Sequence, residues 1–159
     1  MNEVTNLAAE VVTLLKEKNK TLATAESCTG GMIGAAITSV PGSSEVYGFG
    51  FITYANEAKE KLLGVKHETL AAHGAVSPET AAEMAAGARR AANADIAIAV
   101  TGIAGPGGGT PEKPVGLVYV GISSDKGTRT LKLNLSGDRD QVRLQTCIKA
   151  LGTVIEDLK

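Results

Sequence analysis

The run Asp95-Ile-Ala-Ile-Ala-Val-Thr101 carries no polar residue between its two ends. A strand with one wet face alternates apolar and polar residues, whereas an uninterrupted apolar run marks a strand covered on both sides. Strands of that kind belong to sheets held between helices, and ligands bind such sheets at the loops leaving the strand ends. Here the loop is Gly102-Ile-Ala-Gly-Pro-Gly-Gly-Gly-Thr-Pro111, too glycine-rich to be regular. Its spacing departs from GxGxxG and no helical pattern follows, which argues against a dinucleotide site. Gly107 to Gly109 read as a connector; Thr101 and Gly102, nearer the strand, are better candidates for ligand contact.

Downstream, Val115 to Ser123 and Thr128 to Leu135 read as strands joined by a turn at Ser124-Asp-Lys-Gly127, an antiparallel hairpin. Ser136-Gly-Asp-Arg-Asp140 then opens a final helix of about twenty residues. Upstream, Ser77-Pro-Glu-Thr80 combines a capping serine with proline at the first helical position, and its helix runs to about Ala92. His67 to Gly74 reads as a short helix closed by Gly74. Near the start, Val4, Leu7, Ala8, Val11, Val12 and Leu15 form a helical stripe within Glu3 to Lys18. Thr21 to Ala25 is a short strand, and Met32 to Ser39 a helix that stops before Pro41. These elements predict one domain over residues 1–159, an α/β chain folded as a three-layer α/β/α sandwich with a mixed, mostly parallel sheet.

Composition agrees. A chain of 159 residues can bury a core without a disulfide or metal staple. Scarce aromatics and abundant Ala and Gly favour close packing of helices on a sheet. The net charge of −1, with both signs interspersed, gives no electrostatic basis for a nucleic-acid partner. No basic start precedes an apolar run and no window could span a bilayer, so a cytoplasmic location without membrane contact is expected. Cys28 and Cys147 form no CxxC and suit free thiols in a reducing compartment.

Tyr47, Phe49, Phe51 and Tyr54 all fall within Pro41 to Lys59, where an aromatic and β-branched run predicts a buried strand. Asn56 is placed to cap the helix Glu57 to Leu63. A hydroxyl (Ser44), a phenol (Tyr54) and an amine (Lys59) flank this strand, and acyl transfer uses such a set once burial makes the lysine a base. Taken singly, each has a plainer role: Ser44 capping a turn, Tyr54 ending a strand, Lys59 on a solvated helix face. Ten extended residues span about 33 Å, so Ser44 meets Tyr54 only if Gly48 and Gly50 mark a bend; otherwise another part of the fold or a second subunit completes the site. Ser27 competes as nucleophile or proton relay.

Glu26-Ser-Cys-Thr-Gly-Gly31 is a strand-to-helix turn whose amides and hydroxyls suit an anion, or whose Ser and Thr cap the helix while glycines allow close packing. It lacks the P-loop spacing and lysine. Arg139 and Arg143 share a helix face and suit a phosphate or carboxylate, with ion pairing to Asp138 and Asp140 as the alternative. His67 and His73 have no matching Cys or acid, so no metal is expected, and His73 suits a helix C-terminus.

Ala25-Glu-Ser-Cys-Thr-Gly-Gly31, Tyr54-Ala-Asn-Glu-Ala-Lys59, His73-Gly-Ala-Val-Ser77, Thr101-Gly-Ile-Ala-Gly-Pro106 and Lys113-Pro-Val-Gly116 occur together and in this order. With these blocks, from Leu7 to the final helix, the chain closely resembles the CinA C-terminal domain family of competence/damage-inducible proteins, which includes stand-alone nicotinamide-nucleotide amidases. The resemblance implies an α/β/α sandwich without metal or organic cofactor. It also implies hydrolysis of the carboxamide of nicotinamide mononucleotide to nicotinate mononucleotide and ammonia, in pyridine-nucleotide recycling. The chain begins at the amidase-like domain, as the stand-alone form would. Positions matching Ser44, Tyr54 and Lys59 are the implied catalytic group, with Ser27 in the same pocket. Expected substrate contacts are Glu26, Cys28, Thr29, Gly30, Gly31, Thr101, Gly102, Arg139 and Arg143, either arginine taking the 5′-phosphate. A homo-oligomer, dimer or higher, is the expected assembly. The rival reading is a non-catalytic module that senses a pyridine nucleotide or docks a partner in competence or DNA repair.

Overall fold

From Ile96 to Val100 large residues alternate with alanine, and that alternation gives the two faces of the sheet different helix partners. A computed structural model describes residues 2–159. In chain order its elements are α1 (Glu3–Lys18), β1 (Leu22–Glu26), α2 (Met32–Thr38), a 3-10 turn (Ser43–Glu45), β2 (Tyr47–Ile52), α3 (Asn56–Leu63), α4 (His67–His73), α5 (Pro78–Ala92), β3 (Ile96–Gly102), β4 (Leu117–Ser124), β5 (Gly127–Asn134) and α6 (Arg139–Leu158). The strands form one sheet in the order β2-β1-β3-β4-β5. β1 pairs in parallel with β2 and β3, whereas β4 runs antiparallel to both β3 and β5.

On one face, Ile96, Ile98 and Val100, with Leu22 and Val120, pack against α1, α2 and α6 through Leu15, Ile33 and Leu151. On the other, Ala23, Ala25, Ala97 and Ala99 meet Leu63 of α3, Leu70 of α4 and Met84, Ala85 and Ala88 of α5. The alanine face is thin, so α5 lies almost on the backbone of the sheet. Glycine is required twice there: a Cβ on Gly121 would collide with the Ala81 carbonyl, and one on Gly87 with the Leu63 carbonyl. This is the three-layer sandwich with a mixed sheet that the sequence predicts. Among the described residues, no helix is long and apolar enough to cross a membrane.

Two local expectations change. The aromatic strand is not buried: β2 has a single neighbour, and Phe49 and Ile52 are 52% and 56% exposed. Asn56 does not cap α3; Ala55 is the N-cap and offers no side chain, and Asn56 is the first helical residue. Elsewhere the signals hold. Ser77 accepts the Thr80 N–H at 3.1 Å with Pro78 beginning α5, Gly127 at φ 104° closes the β4–β5 turn, and Asp138 and Gln141 form a capping box on α6.

The carboxyl ends of β1, β2 and β3 share one edge of the sheet. The chain leaves β1 for α2 on one face and reaches β3 from α5 on the other. Loops diverge where connections switch faces, and the crevice between them is where sheets of this kind take ligands. Gly87→Ala tests the close approach that sets this edge. Helix propensity alone would stabilise the variant by about 1 kcal/mol. Collision with backbone outweighs it, so a net loss of about 1–3 kcal/mol in urea unfolding is expected.

Candidate functional site

β1 ends at Glu26, but its ladder continues one residue further: the Ser27 N–H donates to Val100 O at 3.1 Å. In extended chain, successive side chains point to opposite faces. Glu26 therefore turns toward α2, and Ser27 toward α3 on the alanine side. On α3 the buried positions are Lys59 and Leu63, four apart, so a lysine holds a core position. It is 1% exposed. Its Nζ donates to Ser27 Oγ at 3.0 Å, to Thr53 O at 2.8 Å and to Tyr54 O at 3.3 Å. Burial lowers its pKa from 10.5 to about 8, against a smaller upward pull from Cys28. A serine hydroxyl and a lysine amine that readily loses its proton thus meet inside the protein.

The turn after Ser27 has already spent much of its anion-binding capacity. Glu26 Oε1 accepts from Thr29 Oγ1 at 2.6 Å, Gly31 N at 3.2 Å and Ile33 N at 2.9 Å, and Oε2 from Gly34 N at 3.0 Å. A carboxylate of the chain itself sits at the start of α2, where the sequence suggested a ligand anion. Neither Ser27 nor Thr29 caps α2; its N-cap is Gly31, at φ 109°. Arg143 of α6 closes the other side of the turn, with Nε donating to Cys28 O at 3.1 Å and Nη2 to Thr29 O at 3.0 Å.

Ser27 and Lys59 open into a cavity of about 180 Å³ lined also by Cys28, Tyr54, Ala75, Val76, Thr101, Gly102, Ala104 and Arg139. Thr101 Oγ1 donates to Ala75 O at 2.9 Å, tying the loop before α5 to the end of β3. At the mouth, Arg139 donates through Nη1 to Gly105 O at 2.7 Å and through Nη2 to the Tyr54 hydroxyl at 3.2 Å. Burial pushes the Cys28 thiol up to about 11, so it is no thiolate nucleophile at neutral pH. Cys28 and Cys147 are both free and buried.

The structure thus brings together Ser27, Tyr54, Lys59, Cys28, Thr101, Gly102 and Arg139. It does not bring Ser44 with them. Ser44 lies in the 3-10 turn before β2, lining a separate cavity with Thr21, Tyr47, Phe49 and Asn93. The six residues of β2, about 20 Å of extended chain, separate it from Lys59. The register of β2 against β1 slips by one residue at Gly48, yet the strand runs on to Ile52, and Ser44 and Lys59 line separate cavities within one chain. The arginines pair with neither Asp138, which caps α6, nor Asp140. His73 lies 3.7 Å from Glu79, and no group of three metal-ligating side chains exists among the described residues. Sequence reasoning missed Ala75, Val76 and Ala104 as walls, for small apolar residues carry no chemical signal. Lys59 four residues before Leu63 was the one available sign of a buried amine.

Glu26→Gln measures how much the filled helix start contributes. It removes the charge and turns an amide N–H₂ toward backbone donors, so a loss of about 3 kcal/mol in urea unfolding is expected, with the m-value unchanged. A midpoint equal to that of the wild type would show that the carboxylate is not needed there.

The CinA C-terminal domain family matches residues 4–158. A CinA-like protein of Kosmotoga olearia is 54% identical over 144 residues, 91% of this chain and 35% of that protein. The chain spans about a third of the length of the curated relatives it matches. The crystal structure of competence/damage inducible protein CihA from Agrobacterium tumefaciens superposes with a TM-score of 0.95 at 44% identity, covering 98% of this chain and 96% of that one. A competence or damage-inducible protein from Enterobacter asburiae gives 0.95 at 36% identity over all of both chains. The chain belongs to the CinA C-terminal domain family.

Proposed function

We propose that this chain is an amidohydrolase that cleaves the carboxamide of nicotinamide mononucleotide, with Ser27 as nucleophile and Lys59 as base. The observation that carries the reading is the 3.0 Å contact between Lys59 Nζ and Ser27 Oγ, with both residues buried. Family resemblance narrows the amide to the nicotinamide nucleotide. A neutral amine has two N–H groups and one lone pair. The Thr53 and Tyr54 carbonyls engage the N–H groups, which leaves the lone pair for the Ser27 hydroxyl.

In the first half-reaction Lys59 takes the proton of Ser27 as Oγ bonds to the amide carbon, and the carbonyl electrons move onto oxygen. Collapse breaks the C–N bond. The leaving nitrogen takes the proton from Lys59 and departs as ammonia, leaving an ester on Ser27. Water then gives a proton to Lys59 and attacks the ester, the acid is released, and Ser27 recovers its proton. Arg139, at the mouth, is the cation available to a 5′-phosphate.

Ammonia release from nicotinamide mononucleotide by the purified chain is the direct test. Ser27→Ala and Lys59→Ala are expected to lower kcat by about 10³-fold or more, whereas Ser44→Ala stays near wild type. Full activity in Ser27→Ala would overturn the assignment, and binding without turnover in the wild type would favour a sensing module. The base must be unprotonated, so kcat/KM should rise with pH and level off above about 8, where the Lys59 ammonium has lost its proton. A profile flat from pH 6 to 9 would exclude Lys59 as the base (about 1% of the amine is free at the lower limit).

A further inference from the structure

Resting on the amidase reading, we infer that the backbone N–H of Gly102 holds the oxyanion formed when Ser27 attacks the amide. The ladder of β3 gives the direction of that N–H. In a strand the N–H and C=O of one residue share a side, and the next residue uses the other. Ile96 donates its N–H to Thr21 O at 3.0 Å, and Val100 O accepts the Ser27 N–H at 3.1 Å, so both residues bond toward β1. Ile103 donates to Leu117 O at 2.9 Å, on the side of β4. Gly102 has the parity of Ile96 and Val100, and its N–H faces the end of β1.

The rung that this N–H would complete is not formed. At the offset that joins Ile96 to Thr21, Gly102 would donate to Ser27 O. That carbonyl instead accepts the Gly30 N–H at 3.1 Å, because the chain turns out of β1 there. Toward β4 the ladder bond belongs to Ile103, which leaves the Gly102 N–H without a protein acceptor among the described residues. Gly102 lines the cavity of about 180 Å³ together with Ser27 and Lys59, so the uncommitted donor belongs to the chamber that holds the nucleophile.

Other donors on these walls are already engaged. Thr101 Oγ1 donates to Ala75 O, Arg139 to Gly105 O and the Tyr54 hydroxyl, and Lys59 to the Thr53 and Tyr54 carbonyls. The peptide between Thr101 and Gly102 is held at both ends, by the pairing of Thr101 with Tyr119 and by the Ile103–Leu117 bond. A donor fixed in this way needs no reorganisation as charge builds on the substrate oxygen. It binds the tetrahedral anion more strongly than the planar carbonyl, so its loss falls on kcat rather than KM.

Side-chain replacement leaves a backbone N–H in place, and a Cβ at Gly102 would strike the Val118 side chain. The test is an amide-to-ester exchange, Gly102→glycolate, assayed on nicotinamide mononucleotide beside wild type and Gly107→glycolate from the same loop. The Gly102 ester is expected to lower kcat about 10²–10³-fold with KM within about twofold, while the Gly107 ester stays near wild type. A second probe is 3-formylpyridinium mononucleotide. Ser27 Oγ bonds to its aldehyde carbon, the Ser27 proton passes to Lys59, and the carbonyl oxygen becomes an oxyanion. The Gly102 ester should bind this aldehyde more weakly by a similar factor, yet bind nicotinate mononucleotide as wild type does. Unchanged kcat in the Gly102 ester, or an equal loss in the Gly107 ester, would overturn the inference. Should the Gly102 ester fail to fold, NMR of the wild type decides: the Gly102 amide proton moves downfield with the aldehyde, and an unmoved signal would overturn the assignment. An inactive wild type would instead sink the amidase reading, and this inference with it.

Discussion

An amine taken out of water is costly unless acceptors surround it, and Lys59 pulls the local backbone into place for that purpose. Its Nζ reaches across to Thr53 and Tyr54, which leave β2, and to Ser27, which leaves β1. Two adjacent parallel strands are thus tied at their ends by one side chain from the helix beyond. The same burial that makes the lysine expensive lowers its pKa into a useful range. Stability and the proposed chemistry draw on one desolvated group.

The consecutive residues Glu26 and Ser27 serve the two faces of the sheet separately. Strand alternation sends the carboxylate into the start of α2, where backbone donors neutralise it, and the hydroxyl to Lys59. Were the register shifted by one residue, the acid would face the lysine and form an ion pair with it, and the amine would be held protonated. The pairing of β1 with β3 fixes that register through Glu26 opposite Val100.

Much of the layout was legible from residue pattern. The apolar run at Asp95 to Thr101 and the turn at Ser124 to Gly127 identify a covered strand and a hairpin without ambiguity, because both signals are local. The exposure of β2 was not legible: aromatic and β-branched residues suit an edge as well as a centre, and strand order is a long-range property. The site divides in the same way. Ser27 and Thr101 could be picked out by residue type at strand ends, and Lys59 by its spacing from Leu63 on α3. Ser44 with Lys59 was an expectation from sequence distance, and within one chain the two line different cavities. The reach of Arg143 from α6 back to Cys28 joins residues more than a hundred positions apart, and periodicity carries no trace of such a contact.

The alanine face has a further consequence for selectivity. With α5 seated so close to the sheet, the Ala75–Val76 segment just ahead of it is anchored by Thr101, and facing it are Gly102 and Ala104. Three of the residues on these walls, Ala75, Gly102 and Ala104, have little or no side chain. Trimming those walls would gain almost no room, since little protrudes from them. On the proposed amidase reading, new substrate preferences would come from Tyr54 and Arg139 at the rim, or from added bulk that shuts larger amides out.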